Sequence, residues 1–122
     1  MSQLVIIPWY ATIGRGDGFA AEVAAAAPVA LRYGATRYSV QRSRDDRYKI
    51  NQLSWFQTKR DWYRYWEGPE MIEFRRRNSG RFQIPVVYVW HDELSAGELG
   101  PQVQPEALPA QPEPEPQSGA AA

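Results

Sequence analysis

Between Leu4 and Tyr10 the chain reads LVIIPWY, uncharged throughout, with Leu4 and Ile6 at one parity and Val5, Ile7 and Trp9 at the other. A β-strand sends successive side chains to opposite faces, so a sheet with one wet face alternates polar with apolar. This strand does not alternate. A second such run, IPVVYVWH from Ile84 to His91, lies far along the chain. A sheet built on these two strands has to be covered on both faces. If the chain's own helices cover one, the cheapest cover for the other is a second copy of the same sheet, which predicts a symmetric homodimer.

The segments between them supply the helices and two more strands. After the loop GRGDG, Asp17 is placed to cap a helix running through FAAEVAAAAPVALRY. Its apolar stripe is Phe19, Val23, Ala27 and Leu31, and Gly34 is its stop. Pro28 lacks an amide donor and should kink or split this helix. ATRYSVQRS and YKINQLSWF, joined by the polar turn RSRDDR, form a hairpin. Thr58 and Asp61 then make a capping-box-like start to a second helix. That helix is interrupted at Gly68, restarts with Pro69 at its first position and closes on Arg75, Arg76 and Arg77. The order is βαββαβ: an α+β, ferredoxin-like arrangement of a four-stranded antiparallel sheet with two helices on one face.

Composition narrows the chemistry. The 122 residues contain no cysteine and a single histidine, His91. That excludes disulfides, thiolate metal sites, a thiol nucleophile and the sites that need two histidines, so no tightly held metal is expected. The apolar start lacks a basic leader and is broken by Pro8, and no run approaches the roughly 20 apolar residues of a membrane span. The expectation is a cytoplasmic protein with no membrane partner. From Gly97 onward the sequence holds six of the ten prolines, four acidic residues and no basic one. It reads as a disordered acidic tail, 97–122, after a domain of 1–96. Without the tail, fourteen basic residues face ten acidic ones, too small an excess for a nucleic-acid footprint.

The stretch SWFQTKRDWYRYWEG concentrates three of the five tryptophans. Trp62, Tyr65, Trp66 and Met71 or Ile72 share one helical side, as core or as the roof of a pocket, while Tyr63 and Arg64 face outward. Trp9 is either part of the same aromatic cavity or of the dimer face. Trp55 is either a plug between the sheet and the second helix or a wall against which a flat molecule stacks. Asn51, with its amide directed at the helix layer, needs hydrogen-bond partners there, which points to a polar pocket. His91 is either a solvated strand end or a base.

The run YSVQRSRDDRYKINQLSWFQTKRDWYRYWEGPEMIEF resembles the antibiotic biosynthesis monooxygenase family of dimeric α+β barrels, over roughly residues 3 to 94. The resemblance lies in the strand ending in Trp55, the capped helix, and the break and restart of that helix ending in an aromatic. It implies a homodimer that binds a small aromatic molecule, and in the quinone-forming members a cofactor-independent monooxygenation of phenols. In those members an Asn and a Trp four residues later line the pocket, a spacing that Asn51 and Trp55 share, and an arginine on the second helix corresponds to Arg75 or Arg76. Asn51, Trp55 and Arg75 are therefore the catalytic candidates, with Trp9, Trp62, Tyr65, Trp66 and His91 as substrate contacts. The haem-degrading branch carries a histidine where this chain has Tyr65, which disfavours haem chemistry. The rival readings are a non-catalytic binding or structural dimer whose acidic tail contacts a partner, and an RNA-binding module. The third strand lacks the glycines and spaced aromatics that RNA binding needs, so no nucleic-acid partner is expected.

Overall fold

The computed structural model describes residues 3–100. Four strands, β1 (Gln3–Tyr10), β2 (Ala35–Arg42), β3 (Lys49–Phe56) and β4 (Val89–Asp92), form one antiparallel sheet in the order β2-β3-β1-β4. The helices are α1 (Gly16–Ala26), α2 (Lys59–Trp66) and α3 (Pro69–Arg77). This is the α+β, ferredoxin-like arrangement, with the second helical region broken in two.

Burial along β1 fixes which face the helices cover: Val5, Ile7 and Trp9 are buried, while Leu4, Ile6 and Pro8 between them are half-buried. Residues directly opposite in an antiparallel pair share a face. Val5, Ile7 and Trp9 pair with Ser54, Gln52 and Ile50 of β3, so this parity of β3 lies under the helices. The core there is a continuous array of rings. Trp9 packs against Phe19, Trp66, Phe74 and Phe82 with centroids 5.1–6.0 Å apart. Trp62 lies 5.5 Å from Trp66 at an interplanar angle of 15°.

Three boundaries differ from the sequence reading. The first helix changes at Ala27 into a 3-10 segment, Ala27–Tyr33, with Pro28 in its first turn. Three residues per turn replace 3.6 there, so the buried stripe continues Phe19, Val23, Ala27, Ala30, and Leu31 is 47% exposed. Asp17 lies inside the first turn of α1, caps nothing with its side chain and pairs with Arg42 at 2.9 Å. The last strand begins at Val89 instead of Ile84. Ile84 and Val87 point outward, 80% and 58% exposed, so the continuous apolar run marks a covering segment followed by a short strand.

The α2 and α3 junction follows the sequence closely. The Thr58 hydroxyl accepts from the Asp61 amide at 3.1 Å, as a capping residue should. Gly68 separates the two helices because a Cβ there would stand 2.6 Å from the Arg64 carbonyl oxygen and 3.1 Å from the Tyr33 hydroxyl. Gly34 ends the 3-10 segment at φ +104°, where side-chain-bearing residues are strained. Among the described residues no helix is long and apolar enough to cross a membrane. Most of the acidic tail, from residue 101 on, lies outside the described residues.

Candidate functional site

The residues singled out from the sequence fall on two sides of the sheet. Asn51 and Trp55 do share a face, but it is the one away from the helices. Trp55 pairs with Leu4, and Asn51 with Pro8, both at the parity opposite to Trp9. The expectation that the Asn51 amide and the Trp55 indole meet the helix layer is therefore corrected by one residue of register, which on a strand exchanges the faces completely. His91 also pairs with Leu4. Arg37, Trp55, Leu4 and His91 thus form one cross-strand row on the outer face.

Trp55 is nonetheless only 6% exposed. The Arg37 guanidinium lies 4.3 Å above its ring, and its indole N–H donates to Glu93 at 2.9 Å. A hollow of about 440 Å³ adjoins this corner, lined by Arg37 and by Ala96, Gly97 and Glu98 beyond β4. The Asn51 side-chain oxygen, two rows along, is buried without a hydrogen-bond partner.

On the helix side one chain of hydrogen bonds joins three buried side chains, and the Ser54 hydroxyl, two residues along β3 from Gln52, is buried without a partner. The Trp9 indole donates to the Gln52 carbonyl oxygen at 2.9 Å, and the Gln52 amide donates to the Tyr65 hydroxyl at 2.9 Å. Trp9, Gln52 and Tyr65 are all 1% exposed or less. These bonds use one of the two Gln52 amide protons and leave the Tyr65 hydroxyl proton as a further donor. Burial pushes the Tyr65 phenol up to about 12, against the opposing pulls of the Gln52 bond and the Arg75 charge. Tyr65 is thus a neutral hydroxyl donor across the physiological range.

Arg75 stands at the rim of this interior. Its guanidinium lies 4.0 Å above the Trp66 ring, and one terminal nitrogen is buried without a partner. The other is 3.9 Å from Glu67. Burial lowers its pKa from the ordinary guanidinium value, yet a guanidinium stays charged at neutral pH. The neighbouring Arg76 is instead paired with Glu73 on the exposed side of α3, so of the two arginines Arg75 is the one beside the aromatic array.

The structure therefore gathers Trp9, Trp62, Tyr65, Trp66 and Arg75 on the helix side and places Asn51, Trp55 and His91 on the outer side. Gln52, at the centre of the helix-side polar chain, was missed from sequence. Its signal was parity: Lys49, the strand's one charged residue, shares the parity of Asn51 and Trp55, whereas Ile50 and Phe56 share that of Gln52. With the spacing of four kept, Gln52 and Phe56 are the pair on β3 that faces the helices. Among the described residues no group of three or more His, Cys, Asp or Glu side chains is positioned to hold a metal ion.

No protein-family model matches the sequence, and no curated protein matches it. Solved structures do. A candidate antibiotic biosynthesis monooxygenase of Nitrosomonas europaea superposes with a TM-score of 0.69 at 16% identity, over 76% of this chain and 90% of that one. Another from Bordetella bronchiseptica gives 0.67 at 19% identity, over 77% and 98%. A variant of SnoaB, a cofactor-independent oxygenase from Streptomyces nogalater, gives 0.65 at 12% identity, over 78% and 95%. At these identities the likeness is one of fold: residues 3–100 have the architecture of the antibiotic biosynthesis monooxygenase structures, as the sequence resemblance implied.

Proposed function

We propose that the chain is a homodimeric, small-molecule-binding protein of this fold, acting in the cytoplasm, and that it oxidises a phenolic or hydroquinone aromatic to a quinone with dioxygen and no cofactor. The observation that carries the reading is the buried Trp9, Gln52, Tyr65 chain, with donors to spare, beside the guanidinium of Arg75. A deprotonated phenol can give electrons directly to dioxygen. In the balanced reaction one oxygen atom enters the ring, the other leaves as water, and the ring loses two hydrogens. The protein's part is to bind, orient and favour the phenolate. Arg75 would lower the phenol pKa by pairing with the anion, and the Gln52 amide and Tyr65 hydroxyl would donate to its oxygen as charge redistributes. Trp62 and Trp66 supply the flat apolar walls. Gln52 takes on this side the role that the sequence assigns to Asn51, while Asn51, Trp55 and His91 serve the outer face, which a second copy covers.

The rival is a non-catalytic binding or structural dimer with the tail as its partner contact. It is favoured by one observation: Trp9, Trp62 and Tyr65 retain no exposed surface. An oxygen electrode decides between the two. Incubation with a panel of dihydroxyaromatics should give oxygen uptake together with quinone absorbance, and Gln52→Leu and Arg75→Gln should each lower the rate at least about tenfold, the scale on which lost transition-state donors act. No uptake above buffer across the panel selects the non-catalytic reading.

A further inference from the structure

Between Phe82 and β4 the chain runs along the edge of the helix-side core without regular structure. It is tied at one end by the Gln83 amide, which donates to the Tyr10 carbonyl at 2.7 Å, and at the other by the pairing of Val89 with Ile6. Among the described backbone hydrogen bonds outside helices and strands, none involves residues 84–88. Ile84 and Val87 face outward, while Val86 and Tyr88 pack on the core. This strap is therefore held between its ends mainly by side-chain contacts, the kind of segment that opens at low cost.

Tyr88 is what the strap inserts. Its ring meets Trp62 edge-on at 5.1 Å and Trp66 at 5.7 Å, closing the side of that stacked indole pair. The Trp62 indole nitrogen is buried and directs its N–H at the Tyr88 hydroxyl, short of a well-formed hydrogen bond, and one nitrogen of Arg75, whose guanidinium covers the Trp66 ring, is buried without a partner. Burial, with the Tyr63 hydroxyl, holds the Tyr88 phenol above its ordinary value, while the Trp62 indole N–H pulls the other way. A phenol ring thus already sits edge-on against the flat apolar walls of the indole pair, with the Trp62 N–H turned toward its oxygen.

We propose that Tyr88 is an internal competitor for the ligand: the strap 83–88 seats its phenol against Trp62 and Trp66, and a phenolic ligand binds by displacing it. The inference rests on the reading of the helix-side interior as the ligand site, and it adds a gate and a specificity rule, since the group to be displaced is itself a phenol. A small flat phenol gains what Tyr88 gives up. A bulky aliphatic cannot make the edge-on contacts. Apparent affinity is reduced by the fraction of time the strap is closed.

The test is calorimetric titration with 2-naphthol at neutral pH on wild type, Tyr88→Phe and Tyr88→Ala. Removing the competing ring should tighten binding about tenfold if the strap is open about a tenth of the time, whereas Tyr88→Phe, which keeps the ring, should stay near wild type. In the unmutated protein, saturating 2-naphthol should speed hydrogen exchange at the Gln83 amide, whose bond to the Tyr10 carbonyl ties the strap down, because the strap is pushed out. Slowed or unchanged exchange there, or an Ala variant that binds no more tightly than wild type, overturns the gate, as does absence of binding to all three proteins. Oxygen uptake separates the two ideas: turnover in wild type with slowed exchange at the strap removes only the gate, and no turnover with tighter binding to the Ala variant removes only the reaction.

Discussion

Tyr65 shows how a single side chain converts burial into a measurable pH dependence. Burial pushes its phenol up to about 12 in the folded protein, against about 10 for an exposed tyrosine. A raised folded value means that the native state holds its proton after the unfolded chain has released it. The stabilisation from Tyr65 is therefore complete below pH 10 and is lost as the pH rises from 10 to 12, about 2–3 kcal/mol in all. Urea midpoints measured across that window should fall more steeply for wild type than for Tyr65→Phe, and equal slopes would show that the phenol is not held as described. Gln52 acts at the same scale. Replacing it with Leu leaves the Trp9 indole and the Tyr65 hydroxyl without their bonds, so it should cost about 1–3 kcal/mol of stability, which has to be measured beside any loss of rate. Neither the role of Gln52 nor the orientation of Asn51 was legible in the sequence with certainty of face. Both parities of β3 carry a large aromatic, Trp55 on one and Phe56 on the other, and only Lys49 breaks the tie.

At the scale of elements, the legible features were those set by backbone chemistry. Thr58, Gly68, Pro69 and Gly34 each act where the chain must start, break or stop a helix, and a residue type with one dominant physical reason can be read without a structure. Gly68→Ala tests the tightest of these. The added Cβ has a backbone oxygen 2.6 Å away, which a rotamer change cannot relieve, so α2 and α3 must shift. A loss of about 1–3 kcal/mol in chemical denaturation is expected, and a loss below about 0.5 kcal/mol would mean that the junction is slack. The 3-10 segment and the strap were not legible, for different reasons. Pro28 announces a break but not the pitch of the helical turns beyond it. The apolar run from Ile84 reads as a strand whether its backbone pairs with a neighbour or only lays Val86 and Tyr88 across a core.

On the scale of the whole molecule, the apolar content of both parities of β1 has two outlets, only one of which the chain itself covers. Leu4, Ile6 and Pro8 are half-buried on the outer face beside Leu53 and Val89, an apolar strip across the sheet. Ile6→Lys would put a charge in the middle of it. If a second copy is the cover, sedimentation should show a dimer for wild type and a monomer for the variant, with far-ultraviolet circular dichroism unchanged. A wild-type monomer at micromolar concentration would remove the homodimer from the proposal.

The two sides of the sheet also differ as optical environments. Trp9, Trp62 and Trp66 belong to the ring-filled interior, and Trp90 packs there against Trp62 at 6.2 Å. Of the five indoles, Trp55 alone stands on the opposite side, between a guanidinium and a carboxylate. Its emission is thus an intrinsic probe of whatever settles on that side, and ring-to-ring energy transfer among the other four reports on the interior. A variant carrying Trp55→Phe separates the two signals, so assembly and guest uptake become readable in one cuvette without a dye.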